Sequence, residues 1–387
     1  MRCQSTLTAH FHLPGLFEFY ELYARFLPLF YEHRDWFYDW CDIGSIYGAP
    51  ADCLWGGGRV GFGDADAHDV LSLLEKFGIS ARLTFSNSLL KSGHLADRRC
   101  NKLCALFEDV ALSGARPQNE NNSLSGTSLP TEHNLLSGRS PQNESNSLLG
   151  AGLQQKPSAR SGYAGNGVIV HSELLLDYLR KTYPGLYLVS STTKVLIRFE
   201  DLRAELARDE FAYVVPDFRL NKAFDALASL SAAQKDKVEF LCNECCPVGC
   251  TERARCYENV SRLSLGEPVD DFECYGARLA EKSGERFEGS GSEISAARLE
   301  GSSADKCAGH FEDRVYSFSR AMESPAFISI EDIQERYMPL GFSNFKIEGR
   351  SLGSALILEF LLYYLTKPEA QLRVRESIYL DSALDLF

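Results

Sequence analysis

Six of the twelve cysteines of this 387-residue chain fall between Cys242 and Cys274, namely Cys242, Cys245, Cys246, Cys250, Cys256 and Cys274. The group begins at the end of an apolar run, Val238 to Leu241, that reads as a buried strand. Clustered thiolates at a strand end are how a protein holds a soft metal ion or an iron–sulfur cluster. Cys246 and Cys250 flank a Pro-Val-Gly turn that lets both sulfurs face one point. Cys274 and Cys307 can complete a set of four, with Cys245 or Cys256 as a substitute for one of them. The spacing is neither the Cys-x-x-x-Cys-x-x-Cys of radical-SAM enzymes nor the paired Cys-x-x-Cys of a zinc ribbon, so a chance group of reduced thiols is the competing reading. Cys100 and Cys104, four apart with apolar neighbours, read as helix core packing.

Other chemistry-bearing residues stand directly after apolar runs: Tyr47, Asn87, His171, Ser191 with Thr192, Asp217 with Arg219, Asn243 with Glu244, and Glu348 with Arg350. In a parallel barrel these positions gather at one face. Asp217, Glu244 and Glu348 would supply carboxylates for acid–base work, and Arg219 and Arg350 would clamp anions. His171 is a candidate base or ligand, against the commoner role of a hydrogen-bonded structural histidine. The glycine-rich Gly56–Gly63 stretch meets a dinucleotide pattern by count but has no acidic residue closing the site, and reads as a loop over the barrel mouth.

The elements that must position these residues alternate along the chain. Tyr38–Ile46, Ser80–Phe85, Gly167–Val170, Leu186–Ser190, Phe211–Val215, Val238–Leu241, Ala326–Ser329 and Asn344–Ile347 read as strands. His68–Lys76, Glu173–Lys181, Phe199–Arg208, Lys222–Leu230 and Ile330–Tyr337 read as helices, the last capped by Ser329 with Asp332 and ended by Gly341. Near-continuous apolar strands alternating with helices predict a parallel sheet, and about eight of them predict a TIM-like (β/α)8 barrel, with a doubly wound sheet as the alternative. The aromatic-rich segment from Leu16 to Tyr38 is expected to be helical, plugging the barrel bottom or packing on its side.

A single barrel over 1–387 is expected to carry two insertions. The stretch 113–165 is rich in Ser, Asn, Gln and Gly, and its residues 112–120 recur as 136–144, too few copies and too little apolar content for a solenoid. The stretch 277–308 is rich in Ser, Gly, Glu and Ala. A net charge of −13 argues against a broad electrostatic grip on nucleic acid, though not against a local patch or an RNA brought by a partner. No apolar run is long enough to span a bilayer and no secretory signal is visible, so the expectation is a cytoplasmic protein with reduced thiols and no membrane association.

Phe345-Lys346-Ile347-Glu348-Gly349-Arg350, together with the Asn243-to-Arg253 segment, Ala81–Asn87 and Val214–Asn221, resembles peptidase family U-32, the collagenase-like proteases. The likeness covers most of the chain outside the two insertions. It implies a TIM-like barrel and one of two activities. Some members are metal-dependent peptidases. Others act in oxygen-independent hydroxylation of ubiquinone precursors or RNA bases and hold a 4Fe–4S cluster on four cysteines. The clustered cysteines favour the second group, with Cys246, Cys250, Cys274 and Cys307 as cluster ligands and Glu348 and Arg350 lining the substrate cavity. This chain departs in cysteine spacing and carries an insertion between Cys274 and Cys307. A partner protein for electron transfer or substrate delivery would accompany that reading. The alternatives are a hydrolase acting on peptides, with zinc or no metal and with Glu348, Glu244 or His171 activating water, and a non-catalytic barrel that recruits a partner through its insertions.

Overall fold

The computed structural model describes residues 7–51, 53–56, 65–115, 165–244, 246–269, 321–349 and 352–384. Eight parallel strands form the frame: β1 (Ala9–Pro14), β2 (Cys41–Gly48), β3 (Ser80–Phe85), β4 (Gly167–Val170), β5 (Tyr187–Ser190), β6 (Phe211–Val214), β7 (Glu239–Leu241) and β8 (Asn344–Lys346). Each pairs with its neighbour in chain order, β1 also pairs with β8, and a single parallel bridge from Val214 to Val238 closes the β6–β7 seam. The architecture is therefore the expected (β/α)8 barrel. Among the described residues no helix is long and apolar enough to cross a membrane.

Two of the expected elements are corrected. Ala326–Ser329 is not a strand, and the eighth place in the barrel is taken by β1, which the apolar pattern missed. His10, His12 and Pro14 alternate with Ala9, Phe11 and Leu13, so this strand carries polar residues where a barrel strand is expected to be apolar on both faces. The 326–329 segment is instead a buried connection. The Ile328 amide donates to Cys242 O at 3.0 Å, the Ile328 carbonyl accepts from Tyr364 Oη at 2.8 Å, and Ser329 then caps the next helix. That helix keeps the expected reciprocal cap between Ser329 and Asp332 and ends at Gly341 in a left-handed conformation.

The segment after β1 is not a plug. Its helix α1 (Tyr20–Glu32) is the first of the ring around the barrel, burying Phe26 and Phe30 beside Phe37. α2 (Ala67–Phe77), α3 (Arg98–Ala115), α4 (Glu173–Thr182) and α5 (Phe199–Leu206) continue the alternation. The expected Lys222–Leu230 helix shortens to α6 (Phe224–Ala228), and a short α7 (Ala232–Lys237) precedes β7. α3 runs three residues into the stretch 113–165, most of which, like all of 277–308, lies outside the described residues.

After β7 comes α8 (Arg253–Ser264), which does not lie on the outside of the sheet. Its hydrogen bonds and ion pairs reach loops at the C-terminal ends of strands. Arg253 reaches Asp217, Glu244 and Thr192, Ser261 bonds to Ser88, and the Ser264 hydroxyl donates to Gly56 O. α8 therefore lies across the barrel mouth. The outer face between β7 and β8 is covered instead by the run from Ile330 to Leu340, whose Tyr337 packs on Phe240 and Phe345.

Candidate active site at the barrel mouth

Inside a barrel, alternate residues of each strand point into the lumen. Here the lumen is divided. Ile169, Val189, Ala212, Tyr213, Val215 and Leu241 form a small apolar cluster separate from the main core, with Tyr47 and Tyr187 against it. The rest of the lumen is polar. Arg82 on β3 and Glu239 on β7, strands on opposite sides of the barrel, meet at 2.5 Å, and neither is exposed. Lys346 Nζ on β8 lies 3.2 Å from the other oxygen of Glu239. His12 Nε2 is 3.5 Å from Glu239, and its Nδ1 is 2.8 Å from Ser45 Oγ. Arg82 Nε donates to Tyr187 Oη at 2.7 Å, its guanidinium lies over the Tyr213 ring, and Lys346 Nζ lies over the ring of Tyr47.

Burial alone would raise the Glu239 carboxyl, but Arg82, His12 and Lys346 outweigh it and hold it below the usual carboxylate range. Burial pushes Lys346 down to about 8 despite Glu239. Burial, with Arg82 beside it, lowers His12 well below its ordinary value, so the imidazole is neutral. One carboxylate thus shares two cations in a buried lumen, and Arg82 Nη2 has no hydrogen-bond partner among the described residues. A lumen usually filled by Val, Ile and Leu holds here an ionic group.

None of His12, Arg82, Glu239 and Lys346 was singled out for chemistry from the sequence. The signal was present: each is a polar residue at a lumen-facing position of an otherwise apolar strand. Residues just past the strands drew the attention instead.

Above this group the expected mouth residues divide into three sets. Glu348 stands two residues past the end of β8 and is 7 % exposed. Its backbone is clamped by Asn243, whose Oδ1 accepts the Glu348 amide at 2.7 Å and whose Nδ2 donates to the Glu348 carbonyl at 3.2 Å. This ties the ends of β7 and β8 together over Lys346. Gly349 is required next, because a Cβ there would meet Pro14 at 2.4 Å. Arg350 lies outside the described residues.

Asp217 and Glu244 form the second set, both engaged by arginines. Asp217, fully buried, accepts the backbone and side-chain N–H groups of Arg219 at 2.6–3.1 Å. Arg253 donates to Glu244 at 2.5 Å, lies 3.5 Å from Asp217, and stacks over Phe218 and Tyr257. Burial opposes the charge on Arg253, and Glu244 more than restores it, so this guanidinium is permanently cationic. Glu244 also accepts the Cys246 amide at 3.1 Å, and Arg219 donates to Cys250 O at 2.9 Å, so the cysteine loop is folded around the two arginines. Cys250 is buried and Cys246 half-buried. Cys274 and Cys307 lie outside the described residues. Among the described residues no group of three or more His, Cys, Asp or Glu side chains gathers as metal ligands.

His171 stands apart, in a groove of about 470 Å³ at the β4–β5 edge of the mouth, with Lys194, Glu173 and Glu205. Its Nδ1 is 2.8 Å from Thr193 Oγ1. Burial, with Lys194 adding, pulls it down to about 4. In the unfolded chain it binds a proton below about 6.5, so its contribution to stability is complete above that pH and is lost as pH falls toward 4. The His171→Asn variant is expected to lose this part of the pH dependence, worth up to roughly 3 kcal/mol, when unfolding is measured between pH 4 and 7. An unchanged pH profile would show the imidazole to be already solvated. Asn87, the remaining mouth candidate, is a joint: its amide group donates to Leu54 O and Ser261 O and binds the β2 loop to α8.

No family model matches the chain, and no curated protein matches it. A solved structure of a U32 peptidase aligns over 70 % of this chain and 83 % of its own, at 12 % identity and a TM-score of 0.37.

Proposed function

We propose that the chain is a U-32-peptidase-like barrel enzyme whose mouth holds a cysteine-ligated iron–sulfur cluster and which carries out an oxygen-independent hydroxylation or a related redox modification. The observation that carries this reading is the placement of Cys246 and Cys250. Their loop is pinned at the mouth by Arg253–Glu244 and Arg219–Cys250, next to the end of the strand that bears Glu239. A guanidinium interacts with each of the two cysteines, Arg253 with Cys246 and Arg219 with Cys250.

Two thiolates there fit half of a four-cysteine cluster, and Cys274 and Cys307 are proposed for the other half. The bound cluster would supply one-electron chemistry at the mouth. The chain's own residues would do the rest. α8 excludes water from above. Glu348, fixed by Asn243, accepts or returns a proton at its carboxylate, and Lys346 and Arg82 orient a polar group of an aromatic or nucleobase substrate from below.

Protein purified without oxygen is expected to be brown, with iron and acid-labile sulfide near ~4 each per chain. Cys246→Ser with Cys250→Ser is expected to remove both. Colourless, iron-free wild-type protein would refute the reading. Zinc in place of iron would support the metal-dependent hydrolase.

A further inference from the structure

We infer that Cys53 and Cys100 form a reversible disulfide that ties the loop after β2 to the first turn of α3. This stands independently of the proposed cluster, from which both residues are separate. Cys53 Sγ lies 3.2 Å from Cys100 Sγ, both side chains are buried, and an S–S bond at ~2.05 Å needs an approach of about 1 Å.

The two thiols are not equivalent. Cys53 is lowered by the hydrogen bond from Cys100, opposed by burial and helped by the backbone N–H groups of Trp55 and Gly56. The same hydrogen bond, with burial, raises Cys100. Either sulfur can donate in the Sγ–Sγ contact, and the lowering at Cys53 favours it as the attacking thiolate. Cys104, one turn further along α3, is pushed up by burial.

With a peroxide as oxidant, the Cys53 thiolate attacks one oxygen. An S–O bond forms, the O–O bond breaks, and hydroxide leaves with the proton released by Cys100 as water. The Cys100 sulfur then attacks the sulfenic acid, the S–S bond forms, and the S–O bond breaks to release hydroxide, which takes up from solvent the proton that Cys53 gave up on ionising and becomes the second water. The two thiols lose two electrons, which reduce the peroxide.

The position of the pair gives the bond a consequence at the mouth. Leu54 O and Trp55 O, next to Cys53, accept from the side chain and backbone of Asn87 at 3.0 and 3.1 Å. The same Asn87 amide donates to Ser261 O of α8 at 3.2 Å, and Ser264 Oγ to Gly56 O at 3.4 Å. The loop that the disulfide would anchor is thus an edge on which α8 rests.

The test uses the full chain, reduced, freed of reductant, treated with hydrogen peroxide and digested under non-reducing conditions with trypsin and Asp-N, whose cuts before Asp42 and Asp52 separate Cys53 from Cys41. Cleavage after Lys102 separates Cys100 from Cys104. The expected product is the Cys53 peptide joined to the Cys100 peptide, lighter by two hydrogens than their sum and separated again by dithiothreitol. Oxidation should also slow amide exchange severalfold in residues 253–264, and Cys100→Ala should abolish both effects. The wild-type peptide map decides the linkage even if that variant does not fold. Cys53 and Cys100 left as free thiols while the half-buried Cys246 and Cys256 oxidise would overturn the inference, as would a Cys53–Cys104 link. A formed link with unchanged exchange in α8 would overturn the coupling to the mouth.

Discussion

Glu239→Gln is expected to lower the free energy of unfolding by about 3–5 kcal/mol at pH 7, read from urea denaturation of the full chain. The size follows from what the substitution leaves behind. Arg82 and Lys346 are both buried in the lumen, and Glu239 is the carboxylate that meets both of them, at 2.5 and 3.2 Å. A glutamine of the same shape can accept a hydrogen bond from one cation but cannot neutralise either. Lys346→Met should be far milder, within about 1.5 kcal/mol, because it leaves a balanced Arg82–Glu239 pair and replaces a chain of similar length. The two variants also differ in pH dependence. With Lys346 held at about 8 in the folded protein and near 10.5 when unfolded, the unfolded chain binds more protons between those values, so stability rises with pH across that window. Lys346→Met should flatten this rise. If Glu239→Gln were no more damaging than Lys346→Met, the lumen would be hydrated and the ionic group no more than a surface pair.

Arg253→Met should cost about 3 kcal/mol and, more tellingly, should release α8 from the mouth. Arg253 is 1 % exposed and joins three pieces of chain: Asp217 after β6, Glu244 after β7, and α8 itself. Asp217 keeps Arg219 when Arg253 is lost, so the stranded charge is Glu244, together with the cysteine loop whose Cys246 amide it accepts. Amide exchange in residues 253–264 should therefore accelerate more than in β3 or β4. A double-mutant cycle of Arg253→Met with Glu244→Gln should show a coupling of at least ~1.5 kcal/mol. Strict additivity would mean that α8 is held by Phe218 and Tyr257 packing alone. Arg253→Lys is not expected to rescue, because an ammonium cannot span both carboxylates and also stack over the two rings.

These predictions concern residues of very different legibility in the sequence. β2 to β8, and the helices α2, α4, α5 and α6, could be read because an apolar strand run and a 3.6-residue period are local properties. The residues that follow β4, β6, β7 and β8 were recognised as mouth residues for the same reason: once a strand is placed, its end is placed. β1 escaped because its lumen-facing positions carry His10 and His12, and a polar alternation reads as a half-exposed strand when its partners are unknown. Ala326–Ser329 was misread because a buried apolar connection and a short strand have the same composition, and only the closing of the barrel through β1 and β8 shows which one is needed.

The sequence by itself thus determined the parallel barrel and the face at which Glu348, Glu244, Asp217 and the cysteine loop assemble, because each depends on residues near one another along the chain. Tertiary structure alone decided that Arg82 meets Glu239 across 157 residues and that α8 turns over the mouth instead of covering the sheet. It alone decided that Asp217 and Glu244 are held by arginines, and that Cys53 meets Cys100. Those pairings arise only when the β6–β7 seam closes and opposite strands face each other across one lumen, and no local pattern encodes which side chain will then stand opposite which.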